Sequence, residues 1–247
     1  MLFIAHRGAS YDAPENTLAS INLAWKVNAK AVEIDVYLTA DENIVAIHDK
    51  TAERTGGKDL LIREQTLDAL RQLDFGRHKG EQWAGERIPT FPEILATVPE
   101  DGKMFVEIKC GSEIIFKLRE CVQRSGLRTD QIVYICFDLP TLEAVKRALP
   151  EHLCYWLRSI KKNPETGVWE PDVESMIEGA SKAGLDGLDV QAREIVDSSF
   201  VKKVRGAGMG IYVWTVNEIP LAQAMVEAGV DGITTDRPHW LRESLGL

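Results

Sequence analysis

The chain has 247 residues, 45% of them hydrophobic and 27% charged. That is enough apolar material for one sizeable core and close to the ~250 residues of a (β/α)8 barrel. Its net charge of −9 argues against a nucleic-acid surface, which needs a basic face, and means that an anionic ligand must be attracted locally.

No apolar run approaches the ~18 residues of a membrane span, so stable membrane insertion is not expected. The opening Met1-Leu2-Phe3-Ile4-Ala5-His6 lacks the basic flank and long apolar stretch of a signal peptide. Cys110, Cys121, Cys136 and Cys154 show no C-x-x-C spacing. They read as small buried residues in a reducing compartment, the cytoplasm. The sequence leaves self-association as a homo-oligomer open.

In chain order, β-rich runs fall at Leu2–His6, Ala31–Val36, Met104–Lys109, Ile132–Phe137, Leu153–Leu157, Gly187–Val190, Ile211–Val216 and Gly232–Thr235. Stretches of helical periodicity follow them, such as Leu18, Ile21 and Trp25, or Leu221, Ala224 and Met225. Strand–helix alternation implies a parallel sheet with helices outside, and eight units point to a closed (β/α)8 barrel; an open doubly wound sheet has the same periodicity. Ala183-Gly184-Leu185-Asp186-Gly187 echoes Ala228-Gly229-Val230-Asp231-Gly232, each placing a glycine where a helix ends before a strand. Gly206-Ala207-Gly208-Met209-Gly210 precedes a strand instead of following one, which is the wrong order for a dinucleotide-cradling loop.

Two places break the alternation. After Glu33-Ile34-Asp35-Val36, the polar Thr39–Asn43 leads into Ile44–His48, which predicts a hairpin. The stretch Lys50–Pro92 is glycine-rich with one clear helix, about Thr66–Gln72, and predicts an insertion on the barrel rim that shapes a substrate pocket.

Strand alternation puts Glu33 and Asp35 on one face, with Val32, Ile34 and Val36 towards the helices. Glu107 and Lys109 likewise share a face at the end of the next barrel strand, where barrels keep their chemistry. Glu33, Asp35 and Glu107 could converge as hard oxygen ligands for Mg²⁺ or Ca²⁺. They could equally be paired by basic side chains, Lys109 among them. His6 ends the first strand and His48 ends the hairpin. Both can exchange protons near neutrality, and both would emerge beside the carboxylates if the hairpin forms. His78, His152 and His239 are expected to be structural. Phe137 and Trp214 are expected at the pocket wall or in packing.

Taken in order, His6-Arg7-Gly8-Ala9, Ala13–Leu18, Val32–Val36, Ile47-His48-Asp49, Glu107-Ile108-Lys109, Trp214–Asn217 and Thr234–Pro238 resemble the glycerophosphodiester phosphodiesterase family over nearly the whole chain. The resemblance implies a (β/α)8 barrel in one domain, residues 1–247, with a small insertion after the second strand at about 50–89. It implies metal ligands at Glu33, Asp35 and Glu107, catalytic histidines at His6 and His48, and phosphate contacts at Arg7 and Lys109. Two departures stand out. Cys136-Phe137 replaces a Ser-Phe common in the family, and Asp49-Lys50 replaces a pair of aspartates.

The activity implied is metal-dependent hydrolysis of glycerophosphodiesters to glycerol 3-phosphate and an alcohol. It would pass through a cyclic phosphate, with His6 as base and His48 as acid. Two rival readings use the same constellation: a phosphodiesterase acting on lysolipids, which would need a long apolar groove, and a non-catalytic phosphodiester-binding barrel.

Overall fold

A computed structural model describes residues 1–247. Eight parallel strands close into a barrel: β1 (Leu2–His6), β2 (Ala31–Leu38), β4 (Lys103–Ile108), β5 (Ile132–Cys136), β6 (Leu153–Arg158), β9 (Gly187–Gln191), β10 (Gly210–Trp214) and β11 (Gly232–Thr235). β1 pairs with both β11 and β2, which joins the two ends of the sheet. The closed sheet settles the alternative between barrel and open sheet.

The remaining strands are short. β3 (Ile44–Ala46) forms the expected hairpin, antiparallel to β2 with Val36 opposite Ala46. β7 (Lys161–Lys162) and β8 (Trp169–Glu170) make a separate ribbon. No helix is long and apolar enough to cross a membrane.

Alternation along the strands splits the apolar residues between two cores. Val32, Ile34, Val36, Val106 and Ile108 face outward. They pack on Ile21 of α1 (Leu18–Lys26) and on Leu118 and Val122 of α5 (Ile115–Ser125), among others. Ile4, Ala31, Phe105, Val133, Ile135, Tyr155 and Leu157 fill the barrel interior.

Tyr155 and Tyr212 meet edge-on at 4.8 Å, and Tyr212 meets Phe105 at 5.1 Å. Gly210 and Gly232 leave the room these rings occupy: a Cβ there would lie 2.9 Å from Tyr155 and 2.8 Å from Tyr212. This aromatic plug makes the interior a packed core, not a pore. Deleting a ring such as Phe105 would cost ~3–5 kcal/mol.

Helix boundaries follow side-chain chemistry. Asp138, Asp172 and Asp197 accept from the first-turn amides of α6 (Leu139–Ala148), α7 (Val173–Lys182) and α8 (Ser198–Gly206). Gly126 and Gly229 end α5 and α9 (Ile219–Ala228) in the left-handed conformation. The chain closes with α10 (Pro238–Ser244).

The stretch Lys50–Pro92 holds more structure than the single helix its periodicity predicts. It carries α2 (Glu53–Gly56), α3 (Leu67–Leu70), the start of α4 (Phe91–Leu95) and three 3₁₀ turns. All of these elements are three to five residues long, too short to show a clear helical period, and the helix expected at about Thr66–Gln72 is only the four-residue α3. Ala52, Ile62, Leu70, Leu73, Phe75 and Ile88 form a small core with Val45 and Ile47 of the hairpin. Ala46 donates its amide to Pro89, which ties the rim segment back to β3. His48 is thereby held between two packed units.

Candidate active site

Strand register gathers the charged residues at the C-terminal mouth. His6 is opposite Glu33 across β1–β2, and Asp35 is opposite Glu107 across β2–β4. The amide of Ile47 donates to the Asp35 carbonyl, so the hairpin carries His48 out next to Asp35. Arg7 takes a left-handed conformation, φ 56°, immediately before Gly8 at φ 83°. That turn brings the Arg7 amide to Glu33 Oε2 at 3.0 Å.

Glu33, Asp35 and Glu107 each present an oxygen such that the three lie within 4.8 Å of one another. Two cations stand against them. Lys109 Nζ is 2.7 Å from Glu107 and 3.6 Å from Asp35, and Arg7 Nε is 3.1 Å from Asp35. Arg7 is shared with Glu15, to which Nη1 donates at 2.8 Å. Three carboxylates thus face two cations, one of them divided.

Glu33 Oε1 and Asp35 Oδ1 are buried with no hydrogen-bond partner. Burial, then Asp35 and Glu107, push the Glu33 carboxyl well above its usual range. Burial and Asp35 likewise push Glu107 up to about 8. Burial opposes ionisation of Asp35 too, but Arg7, Lys109 and His48 outweigh it and hold that group low. Orphaned hard oxygens and surplus negative charge in a buried cluster fit a divalent cation better than a complete set of ion pairs.

The two histidines are held alike. His6 Nδ1 is 2.6 Å from Asp236 Oδ1, and His48 Nδ1 is 2.7 Å from Asp49 Oδ1. A carboxylate at Nδ1 fixes the tautomer with the proton there and leaves Nε2 free for chemistry. His6 Nε2 is 4.0 Å from Glu33. Asp236 is itself fixed by Asn217 Nδ2 at 2.6 Å and Ser10 Oγ at 3.1 Å. Although burial works against it, the His6 hydrogen bond keeps the Asp236 carboxyl at about 2. Burial lowers the pKa of His48.

A cavity of about 280 Å³ is lined by His6, Arg7, Glu33, His48, Glu107 and Lys109 on one side. Ile135, Leu157, Asp189, Phe137 and Trp214 line it on the other. Phe137 and Trp214 pack edge-on at 5.5 Å, and Trp214 Nε1 donates to the Asp189 carbonyl. Asp35 lies just behind this wall. Larger hollows of about 460 and 860 Å³ lie outside the cluster, over α4–α5 and beside the hairpin. They lack the carboxylate triad and both histidines, so the smaller cavity is the one the chemistry singles out.

All nine residues singled out in the sequence therefore converge on the barrel mouth. The two departures lie off the cavity. Cys136 faces the helix layer, its Sγ donating to the Ile108 carbonyl, and Lys50 is exposed. His152 is buried against the Ile132 carbonyl, and His239 pairs with Glu243, as structural histidines do.

Sequence reasoning missed the supporting residues. Asn16, with φ 57°, donates to Asp35 Oδ2 at 2.9 Å and accepts the Asp35 amide at 3.1 Å. Glu15, Asp49, Arg54, Asn217 and Asp236 were also given no role. All but Arg54 lie inside the quoted motifs, so a carboxylate adjoining a candidate histidine was the available signal. Asp189 was missed entirely; its β9 neighbours Leu188 and Val190 pack in the outer core, so alternation in the closed barrel turns it inward.

Residues 6–240 match the glycerophosphoryl diester phosphodiesterase family. A glycerophosphodiester phosphodiesterase of Caldanaerobacter subterraneus subsp. tengcongensis is 33% identical over 245 residues, covering 97% of this chain and 96% of that protein. A phosphodiesterase of Oleispira antarctica, solved in complex with the product sn-glycerol-3-phosphate, matches with a TM-score of 0.88 and 29% identity. That match covers 100% of this chain and 97% of the other. Sequence, fold and mouth geometry agree: the chain belongs to the glycerophosphoryl diester phosphodiesterase family.

Proposed function

We propose that the protein hydrolyses small glycerophosphodiesters to glycerol 3-phosphate and an alcohol, as one barrel whose rim segment, residues 50–89, completes the site. The observation that carries this reading is the pairing of two Nδ1-anchored histidines with a triad of carboxylates and two cations around one cavity. The relatives' activity and the glycerol phosphate product bound in the Oleispira protein support the substrate class.

Glu33, Asp35 and Glu107 would hold a divalent ion, Mg²⁺ or Ca²⁺, which when bound neutralises phosphoryl charge and polarises a P–O bond. Arg7 and Lys109 face the same space and stabilise charge growing on the phosphoryl oxygens. In the first step the free Nε2 of His6 takes the proton of the glycerol 2-hydroxyl as its oxygen bonds phosphorus, and a cyclic phosphate forms. His48 gives a proton from Nε2 to the departing alkoxide. Burial lowers its pKa, so its protonated ring gives up a proton more readily than an ordinary imidazolium, and the anionic diester beside it favours that protonated form. Water then opens the ring with the histidines in reversed roles. Asp236 and Asp49 keep both rings in register throughout.

The cavity holds only about 280 Å³ and is lined by charged groups on one wall, which suits a small, soluble diester. The four cysteines, all free, fit a reducing compartment such as the cytoplasm. The test is ³¹P NMR of glycerophosphocholine turnover with Mg²⁺ or Ca²⁺. A transient glycerol cyclic phosphate followed by glycerol 3-phosphate is expected. Release of glycerol and phosphocholine would place the cleaved bond on the other side of phosphorus and sink the reading.

A further inference from the structure

One ionisable side chain in the cavity has no part in the scheme above. Asp189 lies on β9, across the barrel from β2, and is 1% exposed. It lines the cavity beside Ile135 and Leu157, and its Oδ1 is buried with no hydrogen-bond partner. His6, Arg7, Glu33, Glu107, Lys109 and His48 are each engaged by another polar group. Asp189 is not.

An unpaired buried carboxyl group costs stability, and a leucine would fit this wall better. Such a group is expected where a ligand supplies its partner. From this placement we infer that Asp189 is the specificity residue that hydrogen-bonds a hydroxyl of the substrate's glycerol unit. The assignment rests on the glycerophosphodiesterase reading and deepens it.

The choice of glycerol over the alcohol follows from the shape of the cavity. Phe137, at the mouth, is 43% exposed, whereas Asp189 is closed off. The part of the substrate common to all glycerophosphodiesters belongs at the closed end, and the variable alcohol belongs at the mouth. A cationic headgroup would have to be stripped of water against Ile135 and Leu157 to reach Asp189. A hydroxyl loses far less. Burial, and after it Glu107, raise the pKa of the Asp189 carboxyl, which favours its protonated form. In that form it both donates and accepts, as a hydroxyl does.

The experiment uses the purified full chain and two ligands, sn-glycerol 3-phosphate and inorganic phosphate, with Asp189→Leu and Asp189→Asn. Asp189→Leu should weaken glycerol 3-phosphate binding about tenfold or more while phosphate binding changes less than about twofold. Asp189→Asn, which keeps hydrogen-bonding atoms, should lose less. Asp189→Leu should also melt no lower than wild type, which a structural role would not allow. Unchanged glycerol 3-phosphate affinity in Asp189→Leu, or equal loss for both ligands, overturns the assignment. A raised KM for glycerophosphocholine with unchanged glycerol 3-phosphate affinity assigns the acid to the headgroup and overturns it as well. Wild-type protein that turns over no diester removes the underlying reading, whereas an active wild type with a silent Asp189→Leu removes only this inference.

Discussion

Arg54 donates from Nη1 and Nη2 to the two oxygens of Glu15, at 2.6 and 2.9 Å, so a residue of the rim segment grips the carboxylate that holds Arg7. Its Nε also reaches Asp49 Oδ2 at 2.6 Å, and Asp49 anchors His48. One planar guanidinium therefore fixes both a candidate proton donor and a candidate phosphate ligand. Its pKa is raised, first by the Glu15 hydrogen bonds.

Arg54→Ala should lower kcat about tenfold, roughly 1.4 kcal/mol of barrier. The side chain is nearly half exposed, so the loss of stability should stay below ~1 kcal/mol. Arg54→Lys should recover only part of the rate, because a point charge cannot reproduce the fork. Steady-state kinetics beside a melting curve separates the two effects. An unaltered kcat in Arg54→Ala would mean that the rim segment does not set the position of His48.

The Nδ1 anchors make a second prediction. His6→Ala and His48→Ala should each lower kcat by ~10²–10⁴ with the fold intact, the usual worth of a positioned acid or base. Asp236→Asn should also be damaging although the histidine is untouched. An amide that donates towards Nδ1 favours the proton on Nε2, and His6 then has no lone pair facing the cavity. The pH profile of kcat in Asp236→Asn should shift, while KM changes little. Near-full turnover in either histidine variant would refute the acid–base assignment.

The barrel was legible because its strands are short apolar runs and its C′ glycines recur, both local features of the chain. The faces of Glu33, Asp35 and Glu107 followed from strand parity alone. What parity could not supply is who pairs with whom across loops. Asn16 reaches Asp35 through a left-handed turn, and Asp236 reaches His6 across 230 residues of sequence. Nothing local encodes those distances. Asp189 was missed for another reason: an isolated acid in a strand is more often an edge or a cap, and only closure of the barrel shows that this one is interior.

Gly8 tests how tightly the Arg7 turn is specified. Its φ is 83°, and a Cβ there would lie 2.5 Å from both the Ser20 carbonyl carbon and its Oγ. Ser20 Oγ donates to the Arg7 carbonyl at 2.9 Å, so the turn and α1 are locked together. Gly8→Ala should destabilise the fold by ~1–3 kcal/mol from backbone strain alone, with the clash added. Activity should fall further than stability, because Arg7 and the amide that holds Glu33 move together. A variant with unchanged melting temperature and turnover would show that the loop relaxes freely.

The carboxylate cluster makes the metal-free protein sensitive to pH in a definite direction. Burial and Asp35 raise Glu107 from an ordinary 4.5 to about 8, and Glu33 is raised as well. The folded state then holds protons that the unfolded chain has released. Stability from these groups is present below about pH 4.5 and is lost as pH rises through about 8, at up to ~1.4 kcal/mol per unit for each group. His48, with its lowered pKa, acts oppositely and loses stability as pH falls below its ordinary 6.5. It is only half-buried, so the carboxylates should dominate. In EDTA the melting temperature should therefore decline between pH 5 and pH 8. Mg²⁺ or Ca²⁺ at ~100 times its Kd should restore about 2.7 kcal/mol. The gain should be larger at pH 8 than at pH 5, because fewer protons have to be displaced. EDTA should abolish diester hydrolysis and either cation should restore it. A flat melting curve in EDTA, with full turnover and no response to cations, would hand the cluster back to Arg7 and Lys109 as plain ion pairs.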